Sequence, residues 1–140
     1  MIIGPQPTTK TAILGIRIVI DRQMTRIADS RGVWPFKRIA VGLRWFALPD
    51  KERSAVLYHE AGHCKLFHLE KRILMLIGLF VRPALVREWA QAQELEADEF
   101  AAKHGYGVEL LRVIERFRGE SDGMFYPSFE ERAQRLRRFT

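Results

Sequence analysis

Only one cysteine, Cys64, occurs in the 140 residues, so no disulfide can form within the chain and the fold must stand on its packed core. A lone thiol also points to a reducing compartment. Long apolar runs are missing too. The longest, residues 73–81, is bounded by Arg72 and Arg82, and a spanning helix needs about 20 apolar residues. Extending the run to Val86 takes in Arg82 and Pro83. The first residues, Met1-Ile2-Ile3-Gly4-Pro5-Gln6-Pro7, show no basic stretch followed by an apolar one, so no secretory signal is expected. Repeats, low-complexity tracts, zinc-finger and RNP-like motifs and Gly-rich phosphate loops are absent as well. These absences lead to the expectation of one cytoplasmic domain over residues 1–140, with residues 1–10 an irregular lead-in. The only membrane role left is a peripheral contact through the apolar stretch between Ile73 and Val86.

The bulk composition is that of an ordinary globular chain, 47% hydrophobic and 29% charged. The net charge of +6 invites an anionic partner, but the basic residues are scattered. Their one dense cluster, Arg132, Arg135, Arg137 and Arg138, reads as a solvated helix face, so a nucleic-acid partner is not expected.

What carries chemistry is His59-Glu60-Ala61-Gly62-His63. Histidines four apart on a helix differ by about 40° of rotation and roughly 6 Å of rise, so both rings leave one face and can share a metal ion. Glu60 is then placed to act as general base toward a water at that metal. Gly62 costs a helix about 1 kcal/mol relative to alanine, which suggests that another segment crowds the site. Cys64 points about 100° away from the histidine face and reads as a small buried thiol.

Around this motif the periodicity predicts a mostly helical α+β domain. Ile13, Ile16, Ile20, Met24 and Ile27 form a helical stripe over residues 11–29, with a strand over residues 13–20 as the rival reading. A strand is expected over residues 37–41. The metal helix should open with Asp50 as its N-cap and run to Lys71 or Arg72. The stretch from Ile73 to Val86 reads first as packing beneath that helix, and second as a greasy flap or membrane-facing patch beside the cleft. A helix should start near Pro83 and stop at His104-Gly105, and another should span residues 108–117. After a turn at residues 119–123, a last helix should run from Ser128 to about Arg138.

Two histidines need a third protein ligand to make a catalytic site. Glu94 and Asp98 lie one turn apart on one helical face, with Glu96 nearly opposite. Glu94 can supply the metal carboxylate while Asp98 accepts a hydrogen bond from the other nitrogen of a ligating imidazole and so fixes its tautomer. His68 and His104 fit less well: His68 falls on a different face from His63, and His104 sits at a helix end.

Glu52, Ala55-Val56-Leu57, the HEAGH motif, Glu94-Leu95-Glu96-Ala97-Asp98, Phe100-Ala101 and Gly105-Tyr106 together resemble the gluzincin peptidases of the CAAX prenyl protease and heat-shock membrane protease family. The likeness runs from about Ile39 to Arg138. It implies a zincin-like minimal metallopeptidase domain, with a small sheet, an HExxH helix and a second helix bearing the glutamate ligand. It implies one Zn2+ per chain held by His59, His63 and Glu94, with Glu60 as catalytic base and Asp98 behind a ligand. The family's late His-Pro element is matched by Tyr126-Pro127, with Arg132 following. Tyrosine there departs from the pattern: a phenol can donate to an oxyanion but cannot become a cation near neutral pH. By the same likeness Arg132 organises the site or binds substrate. The chain lacks the family's membrane-spanning helices and looks more like the small soluble minigluzincins.

The function expected is zinc-dependent hydrolysis of a peptide or protein substrate, which lies extended along the strand at residues 37–41. Two alternatives stand beside it. One is a basic binding or regulatory module with a structural or vestigial zinc. The other is a dedicated protease of a single partner protein.

Overall fold

The computed structural model describes residues 12–78, 83–119 and 126–139. Four short strands come first: β1 (Ala12–Ile13), β2 (Ile16–Ile20), β3 (Ala28–Arg31) and β4 (Arg38–Val41). Helices follow: α1 (Leu43–Phe46), α2 (Asp50–Lys65), α3 (His68–Gly78), α4 (Pro83–Ala101), α5 (Gly107–Arg116) and α6 (Phe129–Arg137). The fold is α+β and mostly helical. The expected lead-in at residues 1–10 and most of the expected turn at residues 119–123 lie outside the described residues.

The helix expected over residues 11–29 is replaced by strands. Leu14 and Gly15 take φ of 50° and 78°, the positive-φ pair of a tight hairpin turn, and Ile13 faces Ile16 across it. Ile20, on the supposed apolar stripe, is 52% exposed. The β-branched density of this segment, paired with a glycine that turns the chain, outweighs the helical spacing.

The sheet runs in the order β1-β2-β4-β3. β4 pairs parallel with β2 and antiparallel with β3. Both edges of β4 are therefore occupied, so no extended substrate can add to residues 37–41, contrary to expectation. Among the described residues, the open edges belong to β1 and β3. Ile39, Ala40 and Val41 of β4 are fully buried, and Ile39 and Val41 join a core with Trp45, Val56, Leu57, Ala61 and Cys64, each large side chain contributing about 1.5–3 kcal/mol.

α2 is the buried axis of the molecule, with the sheet, α4 and α5 packed around it. It starts one residue before the expected first turn: Pro49, not Asp50, is its cap, and the Pro49 carbonyl accepts from the Arg53 amide at 2.9 Å. Asp50 and Glu52 place negative charge in the first turn, where the helix dipole favours it. α2 also ends earlier than expected. Phe67 adopts φ 57°, so the chain turns at Leu66-Phe67 and restarts as α3.

Packing beneath the metal helix does not describe α3. Its Met75 is buried, but Leu74, Leu76 and Ile77 are more than two-thirds exposed. Residues 79–82 of that apolar stretch lie outside the described residues. At His104-Gly105 the helix kinks rather than stops. Gly105 takes φ 93° inside the segment Ala102–Tyr106, and α5 continues from Gly107. α6 has the expected start, with the Ser128 hydroxyl accepting from the Glu131 amide at 3.1 Å. No helix among the described residues is long and apolar enough to cross a membrane.

Candidate metal centre

His59 and His63 leave the same side of α2 and meet Glu94, which α4 brings across from the other wall. His59 Nε2 lies 3.2 Å from Glu94 Oε2, His63 Nε2 lies 3.1 Å from Glu94 Oε1, and the two Nε2 atoms are 3.3 Å apart. All three side chains are buried and form a group able to hold a metal ion. The spacing fits that role: a tetrahedral cation with bonds of about 2.05 Å has ligand–ligand edges of about 3.3 Å.

Gly62 explains how α4 comes so close. A Cβ there would sit 2.9 Å from Phe100 Cβ and 3.1 Å from Ala97 Cα. The glycine lets the two helices touch one turn from the donors, in keeping with the crowding expected from the sequence.

Behind His59 stands a buried ionic pair. His59 Nδ1 lies 2.8 Å from Asp98 Oδ1. Asp98 in turn receives both arms of the Arg132 fork, Nε to Oδ2 at 2.8 Å and Nη2 to Oδ1 at 2.7 Å. Arg132 is thus buried and engaged with Asp98, so it leaves the solvated basic face expected of its cluster and supports the site from behind. Burial works against ionised Asp98, but Arg132 holds its carboxyl below the usual range. Burial also works against a charged His59, yet Asp98 and Glu94 together push its pKa up to about 10. Glu94 is held well below the ordinary value: burial raises it, but His63 and His59 outweigh that. A site that gathers this much negative charge around two imidazoles favours a cation.

His63 has a different support, and the sequence did not reveal it. Its Nδ1 lies 2.8 Å from Nδ1 of His68, whose Nε2 lies 3.3 Å from Glu96 Oε2. His68 is 2% exposed; burial and the neighbouring His63 push its pKa down to about 4, so the ring is neutral. When His63 offers Nε2 to a cation, its proton sits on Nδ1. His68 must then accept at Nδ1 and donate from Nε2 to Glu96. Buried Gln93 fixes the position of His68, donating to its backbone carbonyl at 3.1 Å while accepting from Arg72 Nε. Only the turn at Leu66-Phe67 makes the contact feasible, because residues five apart on a straight helix point about 140° apart.

The donor group opens into a cleft of about 720 Å³. Glu60 lines it, and burial raises the Glu60 carboxyl above its ordinary value. Tyr126 and Arg132 line it from the C-terminal side, and Ala28, Asp29 and Ser30 of β3 form another wall. Tyr126 is held by Arg26, whose Nη2 donates to its hydroxyl at 2.5 Å. Burial and the Glu94 carboxylate raise the phenol, keeping it protonated. Arg26 carries no sequence signal of its own; it sits in a loop a hundred positions from its partner. His104 takes no part: it is exposed, stacks on Tyr58 and pairs with the Phe100 carbonyl. Cys64 is buried away from the donors, and burial pushes its thiol up to about 11. Searches with this chain against family models, curated proteins and solved structures found no match.

Proposed function

We propose that the protein is a zinc-dependent peptidase of the gluzincin kind, built as a minimal zincin-like domain. The observation that carries this reading is the cluster of His59 Nε2, His63 Nε2 and the two Glu94 carboxylate oxygens, with contacts of 3.1 to 3.3 Å, beside Glu60 in an open cleft. A structural zinc site closes its shell with four protein ligands, whereas a catalytic one offers three and leaves a side open. When bound, the metal supplies Lewis acidity that makes water nucleophilic near neutral pH and polarises a carbonyl.

The chain's own residues divide the remaining tasks. Glu60, with its carboxyl raised by burial, takes the proton of the attacking water and passes it to the departing nitrogen. Tyr126, whose oxygen is occupied by Arg26, has its hydroxyl proton free to meet the charge that develops on the scissile carbonyl. With a metal held at Nε2 of His59, Asp98, itself fixed by Arg132, faces the Nδ1 proton and orients the ring. A peptide substrate lies along the open edge of β3 rather than along β4, with Ala28, Asp29 and Ser30 facing the cleft.

The purified chain should bind about one zinc. Glu60→Gln should keep the metal and lose peptide hydrolysis, and His59→Ala should lose both. Equal metal content and equal activity in His59→Ala would remove this reading. The resemblance in the HEAGH and ExxAD elements and the open cleft beside the donors support this reading.

A further inference from the structure

Outside the metal cleft, two segments leave an unusual amount of apolar surface open. The β3–β4 loop exposes Val33, Trp34 and Phe36, with Trp34 at 70% and Phe36 at 77%. On α3, Ile73, Leu74 and Ile77 share one face, opposite buried His68 and Met75, and Leu76 is exposed beside them. Phe67, at the turn before α3, is exposed too. Lys37 joins the two segments. Its ammonium lies 3.7 Å from the centre of the Phe67 ring and pairs with Glu70 Oε2 at 2.5 Å. More than half of the large apolar side chains exposed among the described residues fall in these segments. Scattered apolar side chains need no explanation, but a concentration such as this one does.

Charge indicates what covers it. Residues 33–38 and 65–77 contain five cations, Lys37, Arg38, Lys65, Lys71 and Arg72, against one carboxylate, Glu70, which is itself paired with Lys37. Arg38, Lys65 and Lys71 are exposed. Protein interfaces are depleted in lysine, whereas aliphatic and tryptophan tips ringed by lysine and arginine suit the boundary between acyl chains and anionic headgroups. We propose that this surface docks onto an anionic lipid bilayer. Trp34, Phe36, Leu74 and Ile77 enter the headgroup–acyl boundary, and Arg38, Lys65 and Lys71 meet the anionic headgroups. Each signal alone is weak, and their combination gives a stable attachment. The opposite side of α3 and strand β3 line the metal cleft, so docking holds the cleft close to the lipid surface. This inference does not depend on the peptidase reading.

The test is flotation of the full chain with phosphatidylcholine vesicles, with and without phosphatidylserine, at low and high salt. The protein should float with the anionic vesicles, with a blue shift in tryptophan emission, and should leave them as salt rises. Leu74→Glu/Ile77→Glu and, on the other segment, Trp34→Ser/Phe36→Ser should each reduce the bound fraction roughly tenfold. Lys65→Glu/Lys71→Glu should reduce it by a similar factor on anionic vesicles. All these positions are exposed, so circular dichroism should remain as in the parent chain; two pairs on separate elements keep the result readable if one misfolds. Three outcomes overturn the proposal. The parent chain ignores both vesicle types, which leaves a protein partner for the patch. The variants float as well as the parent. Or sedimentation without lipid shows a dimer that Leu74→Glu/Ile77→Glu abolishes, which makes a second copy the occupant.

Discussion

His63 and His68 bring their Nδ1 atoms to 2.8 Å, although a continuous helix would set them about 140° apart. Of the two imidazoles in the candidate metal group, one is therefore oriented by a carboxylate, Asp98, and the other by a neutral imidazole. Support of this kind typically contributes a factor of about 10–100 to metal affinity. His68→Ala should weaken zinc binding by that order, as read by competition with a chromophoric chelator. Glu96→Gln should have a smaller effect, because Glu96 is half exposed and its partner contact is 3.3 Å. Unchanged affinity in His68→Ala would assign His68 to packing alone.

The pair Arg132–Asp98 is buried at both ends. Breaking such a pair from one side costs about 3–5 kcal/mol where the remaining charge has no other partner, and His59, 2.8 Å from Asp98, offsets part of that cost here. Arg132→Ala should therefore unfold at a markedly lower temperature in metal-free protein. Arg132→Lys keeps the charge but loses the two-armed fork, and should fall between the two. Thermal denaturation of the three proteins, each treated with chelator, checks the order.

What the sequence made legible was set by helical arithmetic. His59 and His63 four apart, and Glu94 and Asp98 four apart, must share faces whatever surrounds them, and α2 and α4 bring these two faces together. Hidden from that arithmetic was anything decided by a break in the chain. The turn at Leu14-Gly15 converts a helical stripe into a hairpin. The turn at Phe67 shortens α2 and returns His68 to His63. Periodicity also says nothing about which side of α3 is covered, so its apolar residues read as core when most of them face outward. Arg26 was invisible for a different reason: its role comes from a tertiary contact with Tyr126, and its own neighbours carry no pattern.

Gly62 reverses an ordinary rule. In an open helix, glycine to alanine gains about 1 kcal/mol. Here the new Cβ would press on Phe100 Cβ at 2.9 Å and on the Ala97 backbone at 3.1 Å. Neither atom belongs to the free end of a flexible side chain, so α2 and α4 must separate. Gly62→Ala should destabilise the fold by about 1–3 kcal/mol and loosen zinc binding through the shift of Glu94. Urea unfolding and a zinc titration measure the two effects separately.

Asp21 provides a pH test remote from the donors. Arg31 Nη2 donates to its carboxylate at 2.9 Å, and that bond, with one from the Gln23 amide, lowers its pKa from 3.8. A carboxyl lowered in the native state contributes stability above its unfolded pKa, and that contribution is lost as pH falls through the native one. NMR titration should find Asp21 below 3.8, and Arg31→Ala should move it upward. A titration unaltered by Arg31→Ala would show that the contact at the end of β2 is not maintained in solution.

Tyr126 and Arg26 make the sharpest test of how charge is handled at the cleft. The guanidinium donates to the phenol oxygen at 2.5 Å, which polarises the O–H bond and strengthens it as a donor. If that donor meets the oxyanion, Tyr126→Phe should lower kcat by about 10²–10³, the usual effect of removing one such group, with KM little changed. Arg26→Ala should lower kcat less, since the phenol remains. The decisive quantity is the double variant. Because Arg26 acts through the hydroxyl, its removal should cost nothing further once Tyr126 is phenylalanine, so the two effects should not add. Fully additive losses in kcat would instead place Arg26 directly on the substrate, with Tyr126 acting independently of it.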